Sequence, residues 1–293
     1  MKHFFRLYLL IFMAMGFTGC ATTGVYSLEQ QVRTSDQRVM SETQAAEIVN
    51  QALKDQNITY QQTTQNAWID QILTRLSRAA GSHTPFHARV YQSKDANAFS
   101  IGGKYVFVST GIIEMFQNDD NLMAGVLGHE IAHDIAGHHV RQATAAQWQQ
   151  AAVNLLKKQT NNNKTVGMVA DISNTLISLK YSRSQEKESD ILGTLWAYRA
   201  GYDPLGLIRF FEKTNSSMNS NRLVTLLSSH PMHPSRIQTV QTVSRYVRGE
   251  LSLPQIRTLD PSIAKVLESV QNLDTYQKNI SASTNTTRGL TRY

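Results

Sequence analysis

Apolar positions recur at helical spacing through most of the chain and alternate over one stretch only. Ser41 starts a helix whose Thr43–Lys54 part carries Ala45, Ile48, Val49 and Ala52 on one face. A second helix is predicted from Asn66 to Ala80, with Trp68, Ile69, Ile72, Leu73 and Leu76 inward and Gly81 as its stop. The period then changes to two. Phe86–Tyr91, Asn97–Ile101 and Lys104–Ser109 read as three short strands, and Gly102-Gly103 makes a turn of hairpin type. Ile112–Phe116 is a short amphipathic helix. Asn118-Asp119-Asp120 caps the next one, Asn121 to Ala136, which is apolar on every side from Leu122 on and is therefore expected to be buried. Further helices are predicted over 140–158, 166–181, 183–199, 204–213, 235–248 and 260–273. The polar run 159–165 separates the first two as a loop over the site, and the breaker-rich segment Ser228–Pro234 precedes the fifth. From Lys278 on the chain is Ser/Thr/Asn-rich and expected to fray. The fold class is α+β, mainly helical, with a small sheet placed directly before the apolar helix. One sheet edge is positioned to receive an extended peptide by strand addition; the bland alternative is a structural meander.

Composition supports a folded chain: 41% of the residues are hydrophobic. The net charge is +7, of which Lys2 and Arg6 belong to an N-terminal segment, and no dense Lys/Arg cluster occurs, so no nucleic-acid partner is expected. That N-terminal segment has a positive start and a short apolar run, Leu7–Phe17, too short to span a bilayer. It ends in Phe17-Thr18-Gly19-Cys20, and Cys20 is the only cysteine. The ending resembles a bacterial lipobox, which implies a signal peptide over 1–19 and an acylated Cys20. Ala21, where an Asp would signal retention, implies an outer-membrane anchor facing the periplasm. Residues 20–40 are polar and read as a lipid-anchored linker, 41–250 as the functional domain, and 251–293 as a C-terminal helix with a flexible tail.

Candidate chemistry sits in the apolar helix. His129, Glu130 and His133 have no packing reason to be there and are costly to bury without partners. His-Glu-x-x-His on a helix is a metalloprotease signature. Four residues apart, the two imidazoles leave one face about 40° apart, so both can bind one ion. Zinc at a catalytic site takes three protein ligands and keeps one position open. Glu130 points beside the metal and suits a general base that takes a proton from the attacking water. Two third ligands compete. His139 follows at the metzincin spacing, but Ala136 stands where that motif needs its glycine and Gly137 comes one place late. Glu186 lies on a later helix with Asp190 one turn on, where Asp190 can accept the N–H of a ligating histidine.

His129-Glu130-x-x-His133, Ser182-Arg183-x-x-Glu186-x-x-Ser189-Asp190, Ser229-His230-Pro231 and Arg236-Ile237 together resemble the gluzincin peptidases of the CAAX-prenyl-protease and HtpX-like type. Asn97-Ala98-Phe99, Gly102-Gly103 and Gly111 fit the same pattern, and the resemblance runs from about Asn97 to Arg248. Ser189 departs from it, standing where alanine is usual. The resemblance implies a zincin-like domain with one Zn²⁺ per subunit, held by His129, His133 and Glu186. The absence of a later apolar span points to the soluble periplasmic lipoprotein branch. The activity implied is endopeptidase cleavage of misfolded or misassembled envelope proteins; the alternative is a chaperone-like assembly factor that holds the same clients in the same groove with little proteolysis. In the resembling proteins a His-Pro loop lies near the site. His230 is accordingly expected either to approach the open metal position, as gate or oxyanion partner, or only to fix its loop. Arg236 is expected to orient Glu186, Asp190 or that loop. His138 and His139 read as a polar helix exit, Glu188 as solvated, and His83, His87 and His233 as ordinary surface or loop residues.

Overall fold

The structure, a computed structural model, describes residues 27–37, 66–100, 102–116, 118–138, 181–216 and 230–289. The predicted helices over 43–54, 140–158 and 166–181, the loop 159–165, Cys20 and the N-terminal segment lie outside them, Tyr181 excepted. In chain order the elements are α1 (Leu28–Gln37), α2 (Asn66–Ala79), β1 (His87–Tyr91), β2 (Ala98–Ser100), β3 (Tyr105–Ser109), α3 (Thr110–Phe116), α4 (Asp120–Ile135), α5 (Arg183–Arg199), α6 (Gly206–Ser216), α7 (Pro234–Val247), α8 (Leu253–Leu259) and α9 (Pro261–Gly289). The mainly helical α+β class with one small sheet is borne out.

Helix α4 is the centre. Every residue from Leu122 to Ile135 is buried, as its all-round apolar sequence requires. Asp119 caps it by accepting hydrogen bonds from the backbone N–H groups of Asn121 and Leu122, at 2.9 and 3.1 Å. Helix α5 crosses α4 with the two backbones in contact at Gly128 and Gly193. Its start is fixed by a capping box: Ser182 Oγ accepts from the Gln185 N–H, and Gln185 Oε1 accepts from the Ser182 N–H.

The sheet has the order β1-β3-β2, with β1 parallel and β2 antiparallel to β3. Edge strand β2 lies beside α4, where the Ser100 hydroxyl donates to Asp134 Oδ2 at 3.0 Å. The Gly102-Gly103 turn continues into Lys104, and all three residues have positive φ. For Lys104 that conformation is uncommon. Its side chain is held in place by an ion pair to Asp36 at 2.9 Å, a hydrogen bond to Ser82 Oγ and the face of Phe86.

Two boundaries differ from the sequence reading. Residues 28–37, assigned to a linker, form α1, which buries Leu28 and Val32 in the main core. Polar side chains fasten it: Ser35 donates to Asp134, and Asp36 meets Ser82, His83 and Lys104. The C-terminal segment is not an appendage to a domain ending at 250. Leu251, Ile256, Ile263, Ala264, Leu267, Val270 and Leu273 belong to the same core cluster. The backbone of α9 stays helical to Gly289, past the Lys278 position where fraying was expected, and no proline interrupts it. Among the described residues no helix is long and apolar enough to cross a membrane.

Candidate metal centre

Three elements deliver the site. Helix α4 carries His129, Glu130 and His133, α5 carries Glu186 and Asp190, and the loop before α7 carries His230. One donor atom from each of His129, His133, Glu186 and His230 lies within 4.8 Å of all the others, and all four residues are buried. His129 Nε2 is 3.0 Å from His133 Nε2 and 3.3 Å from His230 Nδ1. Glu186 Oε1 is 3.3 Å from His133 Nε2 and 3.0 Å from His230 Nδ1. Four ligand atoms around a tetrahedral zinc, at about 2.0–2.1 Å each, stand about 3.3 Å apart. The donor set is therefore the right chemistry at the right separation. A bound cation would offset the cost of burying three imidazoles and a carboxylate side by side.

The surroundings orient the donors. Asp190 Oδ1 is 3.0 Å from His129 Nδ1, the ring nitrogen opposite the cluster. Arg236 makes two hydrogen bonds to Asp190, at 2.8 and 2.7 Å, and places Nη1 2.6 Å from Glu186 Oε2. It bridges both acidic residues of α5 and is backed by Phe211. Glu130 Oε1 is 3.4 Å from His230 Nε2, while its buried Oε2 has no hydrogen-bond partner among the described residues. The Tyr181 ring lies over His133, with centroids 3.8 Å apart.

Electrostatics divides the two carboxylates. Burial raises the Glu130 pKa, and His230 and His129 offset only part of that. Burial would also raise that of Glu186, but His230, Arg236 and His129 outweigh it and hold the group well below the usual carboxylate range. Burial pushes His133 well below the ordinary imidazole value, as suits a neutral ligand. At His230 the cost of burial is overcome by Glu186 and Glu130, and the pKa is raised. Glu186 is thus held toward its anionic form, and Glu130 is a carboxylate with enhanced proton affinity, the property a general base needs.

The structure brings together His129, Glu130, His133, Glu186, Asp190 and His230. His139, the competing third ligand, lies outside the described residues. One sequence expectation is corrected. His138 is fully buried, with Nδ1 2.8 Å from His133 Nδ1, and Glu188 pairs with its other nitrogen. Gly137, at positive φ, turns the chain after α4 and carries His138 back behind His133, which the helical period could not reveal. Tyr181, expected only as the end of a helix, is the further residue at the site, and its position directly before the Ser182-Arg183-x-x-Glu186 motif is the signal that could have pointed to it.

Residues 63–244, more than half of the chain, match Peptidase family M48. The chain is 27% identical to the Metalloprotease YcaL of Escherichia coli K12 over 233 residues, covering 76% of this chain and 91% of that protein. It is 24% identical to Metalloprotease LoiP of the same organism over 208 residues, 69% of this chain and 81% of the relative. The Beta-barrel assembly-enhancing protease of E. coli K12 is 24% identical over 243 residues, 78% of this chain but only 47% of that longer relative. The expected resemblance is borne out at the level of the family, whose metal is zinc, and the buried donor set fits it. The chain belongs to peptidase family M48 and is a zinc metallopeptidase, a hydrolase of peptide bonds.

Proposed function

We propose that the chain is an endopeptidase of the bacterial cell envelope whose zinc is held by His129, His133 and Glu186, with Glu130 as general base and His230 as a gate. The observation that carries this reading is the double contact of His230. Its Nδ1 stands among the ligand atoms and its Nε2 faces Glu130. Zinc, when bound, supplies Lewis-acid polarisation of the scissile carbonyl and activates water. Glu130 takes the proton of the attacking water and passes it to the leaving amine nitrogen. Asp190 holds the His129 ring by accepting its Nδ1–H, and Arg236 keeps Glu186 and Asp190 in register. Edge strand β2, beside α4, is the surface on which an extended peptide would add as a strand.

In this position His230 would compete with water for a bound zinc and would engage the base, since its Nδ1 lies among the donor atoms and its Nε2 is 3.4 Å from Glu130 Oε1. The cleft beside His129 and Glu130, lined by Val126, Leu207, Phe210, Phe211 and Met232, holds about 20 Å³, room for about one water and for no side chain. Withdrawal of the His230–Met232 loop would open the metal, the base and the cleft together.

Periplasmic location rests on the N-terminal segment ending at Cys20, read as an acylated outer-membrane anchor. The substrates would be unfolded or misassembled envelope proteins, in line with the name of one relative, the Beta-barrel assembly-enhancing protease. The closed His230 geometry also favours a second reading, in which clients are held in the groove and cleaved rarely. Degradation of casein by wild type and Glu130→Gln, alongside client capture by both, tests the pair. Cleavage by wild type alone supports the protease. Equal capture with no cleavage by either supports the holding role.

A further inference from the structure

The cluster formed by His133, His138 and Glu188 has a proton arrangement that follows from its geometry. His138 Nδ1 lies 2.8 Å from His133 Nδ1, and His138 Nε2 lies 3.1 Å from Glu188 Oε2. Both histidines are fully buried, and the Glu188 side chain is 25% exposed. Two imidazole nitrogens at that separation cannot both be bare, nor both carry protons; one donates and one accepts. His133 Nε2 faces Glu186 and His129 within the ligand cluster. A neutral His133 that offers its Nε2 lone pair to a metal carries its proton on Nδ1. That N–H must donate to His138 Nδ1. His138 then carries its own proton on Nε2, opposite a carboxylate that only accepts. Ser189 Oγ, at 3.3 Å from the same His138 Nδ1, is the longer and weaker competitor for that lone pair.

We infer that His138 and Glu188 are positioning residues: a hydrogen-bond chain from the Glu188 carboxylate through the His138 imidazole fixes the tautomer and ring orientation of His133. This rests on the reading of His133 as a metal ligand. The two α4 imidazoles are then supported differently. His129 is backed directly by the fully buried Asp190, and His133 is backed through a second imidazole by a carboxylate at the protein surface. Glu188 sits two residues beyond Glu186, so α5 serves the metal from one face and the support of His133 from the next.

The test is zinc affinity, measured by chelator competition on the full chain. His138→Phe keeps the ring volume but offers no acceptor, and zinc binding is expected to weaken about 10–100-fold. His138→Asn places an amide oxygen where Nδ1 stood and should recover most of that loss, although it leaves the larger void. A purely structural role predicts the opposite order, so Phe binding zinc as well as or better than Asn overturns the proposal. Glu188→Leu, at a partly exposed position where folding is not at stake, should weaken binding about tenfold; unchanged affinity there counts against the chain. His133→Ala is the control. Wild-type affinity in that variant would overturn the ligand reading itself, whereas its loss beside an unaffected His138→Phe would overturn only the relay. Nitrogen-15 imidazole spectra of the zinc-loaded protein should show His138 protonated at Nε2; protonation at Nδ1 is incompatible with the proposal.

Discussion

Gly193 on α5 and Gly128 on α4 touch backbone to backbone. A Cβ at Gly193 would stand 2.7 Å from Gly128 C and 2.7 Å from the His129 backbone nitrogen, and one at Gly128 would stand 2.9 Å from the Gly193 carbonyl oxygen. Gly193 shares a helix face with Glu186, seven residues back, and with Asp190, three back. The close crossing is what lets a carboxylate on α5 reach imidazoles on α4. Gly193→Ala must therefore push the helices apart at the point that sets the site. We expect a loss of about 1–3 kcal/mol in stability from overpacking, read by denaturant unfolding, together with weaker zinc binding. Wild-type values of both would show that the crossing has slack.

Glu130→Gln keeps the shape of the side chain but cannot take a proton. Zinc content should be unchanged, because Glu130 lies outside the four-donor group. Peptide cleavage should fall about 10²–10⁴-fold. Metal analysis beside a fluorogenic peptide assay checks both halves, and wild-type turnover would refute the assignment of the base. Stripping zinc from the wild type should abolish cleavage, and restoring zinc should restore it.

His230→Ala separates the gate from a catalytic helper. Three donors remain after the change, which is the number a catalytic zinc needs. The gate reading expects zinc to be retained, with weaker affinity, and basal cleavage of a short peptide to rise. A fall in kcat with unchanged KM would instead assign His230 to transition-state stabilisation, and no change in either activity or metal content would leave it a loop residue.

Much of this centre was legible because its parts lie on strongly capped, periodic helices. Asp119 marks the start of α4 to within a residue, α5 begins at the expected Arg183, and His129, His133, Glu186 and Asp190 sit at four-residue spacings within them. The same periodic reasoning was silent on residues placed by a turn or held by distant polar partners. His138 follows the Gly137 reversal, so the period of α4 says nothing of where it points. Glu188 lies off the Glu186 face and stays partly exposed, as expected, but its partner His138 could not be foreseen. Helix α1 has only Leu28 and Val32 as fully buried apolar anchors in a polar run, too little for a pattern. Its attachment comes instead from Ser35 and Asp36, whose partners are distant in sequence.

That attachment makes stability depend on acid. Asp36 accepts hydrogen bonds from Ser82 Oγ at 2.6 Å and the His83 N–H at 3.0 Å, and it pairs with the buried Lys104 ammonium at 2.9 Å. Partial burial raises its pKa, but these bonds and the Lys104 charge outweigh burial and leave it lowered. A carboxyl whose folded pKa lies below its unfolded value contributes stability that is fully present above the unfolded value, about 3.9, and is lost as pH falls through the folded one. Asp36→Asn withdraws the negative charge from Lys104 and should cost about 1–2 kcal/mol at neutral pH. As the pH falls below about 3.9 the unfolded wild type takes up this proton first and the folded protein only lower down, so the difference between the two proteins should shrink. Urea unfolding of both, at neutral pH and at successive steps below pH 4, reads it directly. A difference independent of pH would mean that neither the hydrogen bonds nor the Lys104 charge favours the Asp36 carboxylate over its neutral form in the folded protein.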